Sequence, residues 1–300
     1  MPETVAELID ILEVEQTGPG SFVGRDADSP RQRVFGGQVL AQALTAAYRT
    51  VPADRIAHSL GAYFLREGTA GEPIGYGVET TREGRSFSTR RITASQGARV
   101  IFSMVASFHL LEPGLNHSDT APQHVLPPEQ CPTLSEVLGR RSRRVAEAWE
   151  QEWGVLETRF ASDTVRPPAT GDGTVAPGGD AEMKVWLRTA GPLPGDHRLH
   201  QAVLAYASDL TLLAVSTVPH PVEFAGPGIQ AASINHSMWF HRPARADEWL
   251  LYDQFSPSAS AGLGFSFGRL FAGGRLVASC AQEGLIRVTD PVALTAAGRG

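Results

Sequence analysis

Apolar and polar positions follow one another along this chain in two rhythms. From about Gln38 to Arg49 the residues are small and apolar on most sides and include no acid, which predicts a buried helix, opened by Gly36-Gly37 and closed by Val51-Pro52. Strand-like runs follow at Ala57–Arg66, Ile74–Arg82, Ser86–Ala94 and Val100–Leu111, parted by turns at Gly71, Gly84 and Gly97. Their spacing suits an antiparallel meander. In the last of them, Val100 to Phe108 is apolar almost throughout and is expected to be covered on both faces. Before this group, Leu8 to Arg25 predicts a short helix or strand that enters a turn at Gly18-Pro-Gly20.

The second half repeats the order. Strand-like runs at Leu156–Phe160 and Met183–Thr189 lead to a helix expected from Asp196 to Thr217, in which Leu199, Val203, Tyr206, Leu210 and Leu213 recur at helical spacing. Asp209 lies close to that stripe and is expected to be partly buried. Strands are predicted at Ala231–His241, Trp249–Phe255, Ala261–Phe271 and Arg275–Val288. Between the halves, Pro113 to Pro132 is a proline-bearing connector and Leu134–Trp153 predicts one charged amphipathic surface helix. Pro167 to Asp180, dense in Gly, Pro, Thr and Asp, is expected to be a mobile loop.

The repetition reaches individual residues. Tyr63-Phe-Leu-Arg66 aligns with Trp239-Phe-His-Arg242, and the same register, without a gap, carries Gly97–Met104 onto Gly273–Cys280. Upstream, Val39-Leu-Ala-Gln-Ala-Leu44 aligns with Val203-Leu-Ala-Tyr-Ala-Ser208. This pattern predicts one unit made twice, each a helix embraced by an antiparallel sheet, with the two sheets continuous: an α+β fold.

Three hundred residues suit two fused halves. A net charge of −6 argues against a nucleic-acid partner, which needs a basic footprint. The arginine cluster Arg140, Arg141, Arg143 and Arg144 is balanced by Glu136, Glu147, Glu150 and Glu152, as on a solvated helix face. The acidic start of the chain lacks the features of a secretory signal, Gly298-Arg-Gly300 is no peroxisomal address, and no apolar run approaches the roughly 20 residues that cross a bilayer. Cys131 and Cys280 are too few for a disulfide framework, so a cytoplasmic location without membrane partners is expected.

Comparing the halves supplies an internal control. Asp209 stands where the first half has Thr45, Ser233 where it has Ala57, and Gln282 where it has Ala106. An acid, a hydroxyl and an amide, all in one half, make a candidate site, and leaving them buried and unsatisfied would cost roughly 1–3 kcal/mol each. Singly, each is more often an ordinary surface or core polar residue than a catalytic one. Other chemistry lacks support. His236 and His241 have opposite strand parity and cannot share a metal, and His197 and His200 suit an uncharged cap or surface role. No G-x-S-x-G elbow and no spaced G-x-G-x-x-G occurs, so neither a serine hydrolase nor a dinucleotide cofactor is indicated. No cofactor or metal is expected.

Five ordered segments carry a resemblance: Phe35-Gly-Gly-Gln-Val-Leu-Ala-Gln-Ala-Leu44, Gly84-Arg-Ser-Phe-Ser-Thr-Arg-Arg91, Tyr206-Ala-Ser-Asp-Leu210, His236-Ser-Met-Trp-Phe-His-Arg-Pro243 and Gln282-Glu-Gly284. They resemble the acyl-CoA thioesterase II family of double-hotdog proteins over nearly the whole chain. The resemblance implies an N-terminal hotdog over residues 1–113 as scaffold, a connector with a surface helix over 114–154, a catalytic C-terminal hotdog over 155–290 and a flexible tail over 291–300. It also implies hydrolysis of fatty acyl-CoA to a free acid and CoA, with Asp209, Ser233 and Gln282 at the positions of the family's catalytic residues. Ser233 stands where many members carry threonine, and Asn235 where an aspartate is common. Asp209 is then expected to act as general base on a water that Ser233 and Gln282 orient. A homo-oligomer is the expected state. A hotdog enoyl-CoA hydratase and a non-catalytic acyl-CoA-binding module are the alternatives, separated from a thioesterase by thiol release.

Overall fold

The helix α2 (Gly36–Tyr48) and the stretch from His200 to Ser208 of α5 (His197–Ser208) are buried almost all round, so a sheet has to enclose them. The computed structural model describes residues 1–25, 33–140, 142–161, 181–220, 222, 224 and 228–289. The loop from Pro167 to Asp180 and the tail from 291 onward lie outside them. Leu40 and Leu44 of α2 have no exposed surface, and burying such a side chain stabilises by about 1.5–3 kcal/mol.

Short elements precede each enclosed helix: α1 (Val5–Leu12), β1 (Val14–Gly18) and β2 (Ser21–Gly24) in the first half, β7 (Leu156–Phe160) and β8 (Glu182–Thr189) in the second. Four strands follow each: β3 (Ile56–Phe64), β4 (Ile74–Glu83), β5 (Phe87–Gln96) and β6 (Arg99–His109), then β9 (Ile229–Phe240), β10 (Leu250–Ser260), β11 (Leu263–Ala272) and β12 (Arg275–Val288). All twelve strands form one sheet in the order β1-β2-β4-β5-β6-β3-β9-β12-β11-β10-β8-β7. The order is a mirror image of itself about the seam where β3 meets β9, with Leu60 opposite Met238 and Ala62 opposite His236. This is the double-hotdog arrangement, and α2 and α5 pack side by side within it.

The β3–β6 ladder of the first half and the β9–β12 ladder of the second share their register and also the one irregularity in it. In the first, Leu60 pairs with Ala106 and Ala57 with Phe108, and the ladder shifts between Ala57 and Ser59. In the second, His236 pairs with Gln282 and Ser233 with Gly284, and the shift falls at the matching place, between Ser233 and Asn235. Each shift is a bulge that leaves one residue, His58 or Ile234, without a partner.

Three expectations need correction. The helix predicted from Asp196 to Thr217 stops at Ser208, and only a 3-10 stretch, Leu213–Thr217, continues the line. There Ser216 Oγ donates to Leu213 O and Thr217 Oγ1 to Ala214 O, local bonds that compete with an α ladder. The helix predicted from Leu134 to Trp153 is two helices, α3 (Leu134–Gly139) and α4 (Arg143–Trp153), because Thr133 and Glu136 form a capping box on the first and Ser142 caps the second. Finally, β6 is covered on one face only: Met104 and Ala106 are buried, whereas Val105 between them is 48% exposed. Among the described residues, no helix is long and apolar enough to cross a membrane.

Candidate active site

Asp209 sits at the C-cap of α5, and its side chain turns inward with only 3% of its surface exposed. Ser233 reaches it because of the bulge at Ile234. Without that extra residue Ser233 would share the outward parity of Ser237 and Trp239, whereas the bulge sets it opposite Gly284, an inward position. Gln282, fully buried on β12, completes the group. Ser233 Oγ donates to Asp209 Oδ1 at 3.0 Å, and Gln282 Nε2 donates both to the same oxygen and to Ser233 Oγ, the latter at 2.7 Å.

The first half also contributes. The backbone N–H of Gly37, in the first turn of α2, donates to the Asp209 carboxylate. A Cβ on Gly36 would lie 2.6 Å from Asp209 Oδ2, so glycine is what lets the helix start approach the acid. Phe35 at the N-cap offers no side-chain cap, which leaves the positive end of α2 directed at this point.

Burial dominates the electrostatics. It raises Asp209 from the ordinary carboxylate value of 3.8 to about 6, against the opposing pull of Ser233, Gln282 and the Gly37 N–H. An acid poised there is ionised at neutral pH and still basic enough to accept a proton. His236, also fully buried, is pushed down to about 4 and stays neutral. Its Nδ1 lies 3.9 Å from Asp209 Oδ1 and its Nε2 lies 2.9 Å from Ser208 Oγ.

The matching place in the first half is closed. Thr45, Ala57 and Ala106 stand for the acid, hydroxyl and amide, and Gln201 stands where Gly37 stands in the other helix. Tyr48 Oη donates to Gln201 Oε1 and accepts from the Ala57 N–H at 2.7 Å, while Gln201 Nε2 donates to Ala57 O at 2.9 Å. Arg198 lies over the Tyr48 ring at 4.7 Å and ties Tyr48 O and Pro52 O together. Tyr48 Oη and both ends of the Gln201 amide are thus satisfied within the protein, whereas Gln282 Oε1 and His236 Nδ1 have no protein partner.

Other candidates are placed as follows. His236 is buried and His241 exposed, and the described residues hold no cluster of three or more metal-binding side chains. His200 is not at the surface: it is buried, and its Nδ1 accepts the Ala246 N–H at 3.0 Å. Asn235 Oδ1 accepts the Glu283 N–H at 3.0 Å and so staples the bulge. Three inward polar residues were missed: His236, Ser266 and Gln254, which stand where the first half has Leu60, Arg90 and Val78. The contrast that singles out Gln282 also marks His236 and Gln254, whereas Ser266 stands opposite a polar residue, Arg90, and is not marked by it.

The fold defines a double-hotdog protein in which one half gathers an acid, a hydroxyl and an amide at a buried point and the other half does not. Family profiles described as "Acyl-CoA thioesterase" and "Acyl-CoA thioesterase N-terminal domain" match residues 157–285 and 25–109. The chain is 37% identical over 291 residues to acyl-CoA thioesterase 2 of Haemophilus influenzae, covering 97% of this chain and 100% of that protein. It is 36% identical to human acyl-coenzyme A thioesterase 8, covering 94% of this chain and 89% of that one. Acyl-CoA thioesterase II TesB2 from Mycobacterium marinum superposes with a TM-score of 0.77 at 40% identity, covering 94% of this chain and 98% of that one. The chain belongs to the acyl-CoA thioesterase II family and is a thioester hydrolase.

Proposed function

We propose that the protein hydrolyses fatty acyl-CoA by direct attack of one water, held and deprotonated by Asp209, Ser233 and Gln282. The convergence of those three side chains on one buried point supports this reading. Gln282 Nε2 is fixed by Asp209 and Ser233, which sets the direction of its free Oε1 as acceptor for one water hydrogen, while Asp209 takes the other. The water oxygen bonds to the thioester carbon as its proton passes to Asp209. The carbon–sulfur bond then breaks with its electron pair on sulfur, and the proton moves from Asp209 to that sulfur. A free acid and a thiol leave, and Asp209 is again ionised. A thioester has little of the resonance protection of an ester, so an oriented water suffices. The uncapped start of α2 faces the same point and opposes the charge that develops on the carbonyl oxygen.

The test is thiol release from a panel of short, medium, long and branched acyl-CoAs. Ser233→Ala strips Asp209 of a donor and Gln282 of an acceptor, and is expected to lower kcat about 10–100-fold, in line with about 1–3 kcal/mol for an unmade buried hydrogen bond. Ser233→Thr keeps the hydroxyl and should stay active. Equal turnover by the two variants, or binding of acyl-CoA by the native protein without thiol release, contradicts the proposal.

Asp209 must be ionised to act as a base. The acid limb of kcat/KM should therefore fall as pH drops through about 6, well above the ordinary carboxylate value of 3.8. A limb near 4 would contradict a buried carboxylate as the base.

A further inference from the structure

Beside Asp209 one buried group has no use in the mechanism above. His236 has no exposed surface and stands on β9 between Gln282 of β12 and Ala62 of β3. Its tautomer follows from its neighbours. Ser208 Oγ lies 2.9 Å from both Ala205 O and His236 Nε2; assigned to the carbonyl, its one hydrogen leaves the oxygen an acceptor for His236 and puts the imidazole proton on Nε2. Nδ1 is then bare, without a protein partner, and 3.9 Å from Asp209 Oδ1.

Two acceptors facing each other repel, so this arrangement disfavours ionised Asp209. Once the carboxyl carries a proton the relation reverses, and Nδ1 becomes the acceptor for it, within about an ångström of hydrogen-bond distance. We propose that His236 is a positioning residue for the hydrolysis: its bare Nδ1 accepts the hydrogen bond of Asp209 after that carboxyl has taken the proton of the attacking water. The imidazole thereby strengthens Asp209 as a base and holds the proton until the departing sulfur collects it. His236 is unchanged at the end.

A second observation supports the role. In the sealed half the same register position is Leu60, opposite Ala106, so the imidazole occurs only beside the acid. The proton stays on the acid, because burial depresses His236 to about 4 and raises Asp209 to about 6. Among the described residues, the other titratable groups that interact electrostatically with Asp209 are Tyr252 of β10 and Cys280 of β12. Burial raises both, Cys280 to about 12, so neither changes charge near the acid limb. α2 and β3 present Gly36, Gly37, Leu60 and Ala62, which do not titrate.

This inference rests on Asp209 as the base, and two variants on the full chain test it. His236→Gln keeps an amide where Nε2 meets Ser208 but removes the acceptor that faces Asp209. His236→Asn keeps an acceptor oxygen at the Nδ1 position and gives up Ser208. The expected result is that His236→Gln moves the acid limb of kcat/KM to lower pH and reduces kcat about tenfold with KM little changed, a small part of the roughly 10²–10⁴-fold that a general base contributes. His236→Asn, although slower, should keep the native acid limb. A native limb and rate in His236→Gln, or a shift in His236→Asn alone, overturns the proposal.

Should either variant fail to fold, nitrogen NMR of the native protein decides the tautomer: a bare Nδ1 and protonated Nε2 are expected, and a proton on Nδ1 overturns the inference. Asp209→Asn separates the two levels. If it turns over normally, the base assignment falls and this inference with it. If it is inactive while His236→Gln is native in limb and rate, only this inference falls.

Discussion

Asp209→Asn is expected to lose about 10²–10⁴-fold in kcat and to become more stable at the same time. The activity falls because the amide cannot accept a proton from water, although its oxygen can still receive the bonds that Ser233 and Gln282 give to Oδ1. The stability rises because Asp209 is a charge held in a dry place. Its carboxyl is raised from 3.8 to about 6 in the folded protein, so between those values the native state binds a proton that the unfolded chain does not. Folding stability from this group is therefore highest below about 4, declines as pH rises, and is fully lost above about 6. At neutral pH the penalty is about 3 kcal/mol, from 1.36 kcal/mol per unit. Removing the charge should raise Tm at pH 7.5 and leave Tm at pH 4 nearly as it was. Thermal melts at the two pH values check this, and an inactive variant that melts lower at pH 7.5 would contradict the buried-charge account.

The second large effect is expected from Gly37→Ala. A Cβ at this position would overlap the carbonyl oxygen of Tyr206 on α5 and the ring of Phe35. The carbonyl belongs to a helix backbone and cannot swing aside, so α2 and α5 must separate at this point. Overpacking of this kind costs about 1–3 kcal/mol. The same displacement carries the Gly37 N–H away from Asp209 and withdraws the helix start from the site. Turnover should fall by at least about tenfold even below the melting temperature, since misplacement by an ångström is enough to spoil an oriented attack. Paired melts and thiol-release assays measure both parts. Native activity in a folded Gly37→Ala protein would show that the first half adds nothing to the chemistry.

Much of the architecture was legible because the duplication is ungapped across the strands. That register placed Ser233 against Ala57 and Gln282 against Ala106, and the ladders place them the same way. The bulge that turns Ser233 inward was invisible for the same reason: both halves have it, so no gap marks it in the alignment. The break at Asp209 was hidden by periodicity, since α and 3-10 turns differ too little over two turns for Leu210 and Leu213 to reveal the change. The contrast of His236 with Leu60 is legible too, but what the imidazole faces depends on where α5 ends against β9. Gly36-Gly37 marked a helix start, but that the start belongs to the site depends on the packing of α2 against α5, which no local pattern encodes.

A single turnover in heavy-oxygen water, with label sought in both the released acid and the Asp209 peptide, tests direct attack by the held water. Label in the fatty acid and none in Asp209 is the predicted result. Label in Asp209 would mean that the carboxylate itself attacks the thioester and that water opens an anhydride afterwards, which contradicts the account.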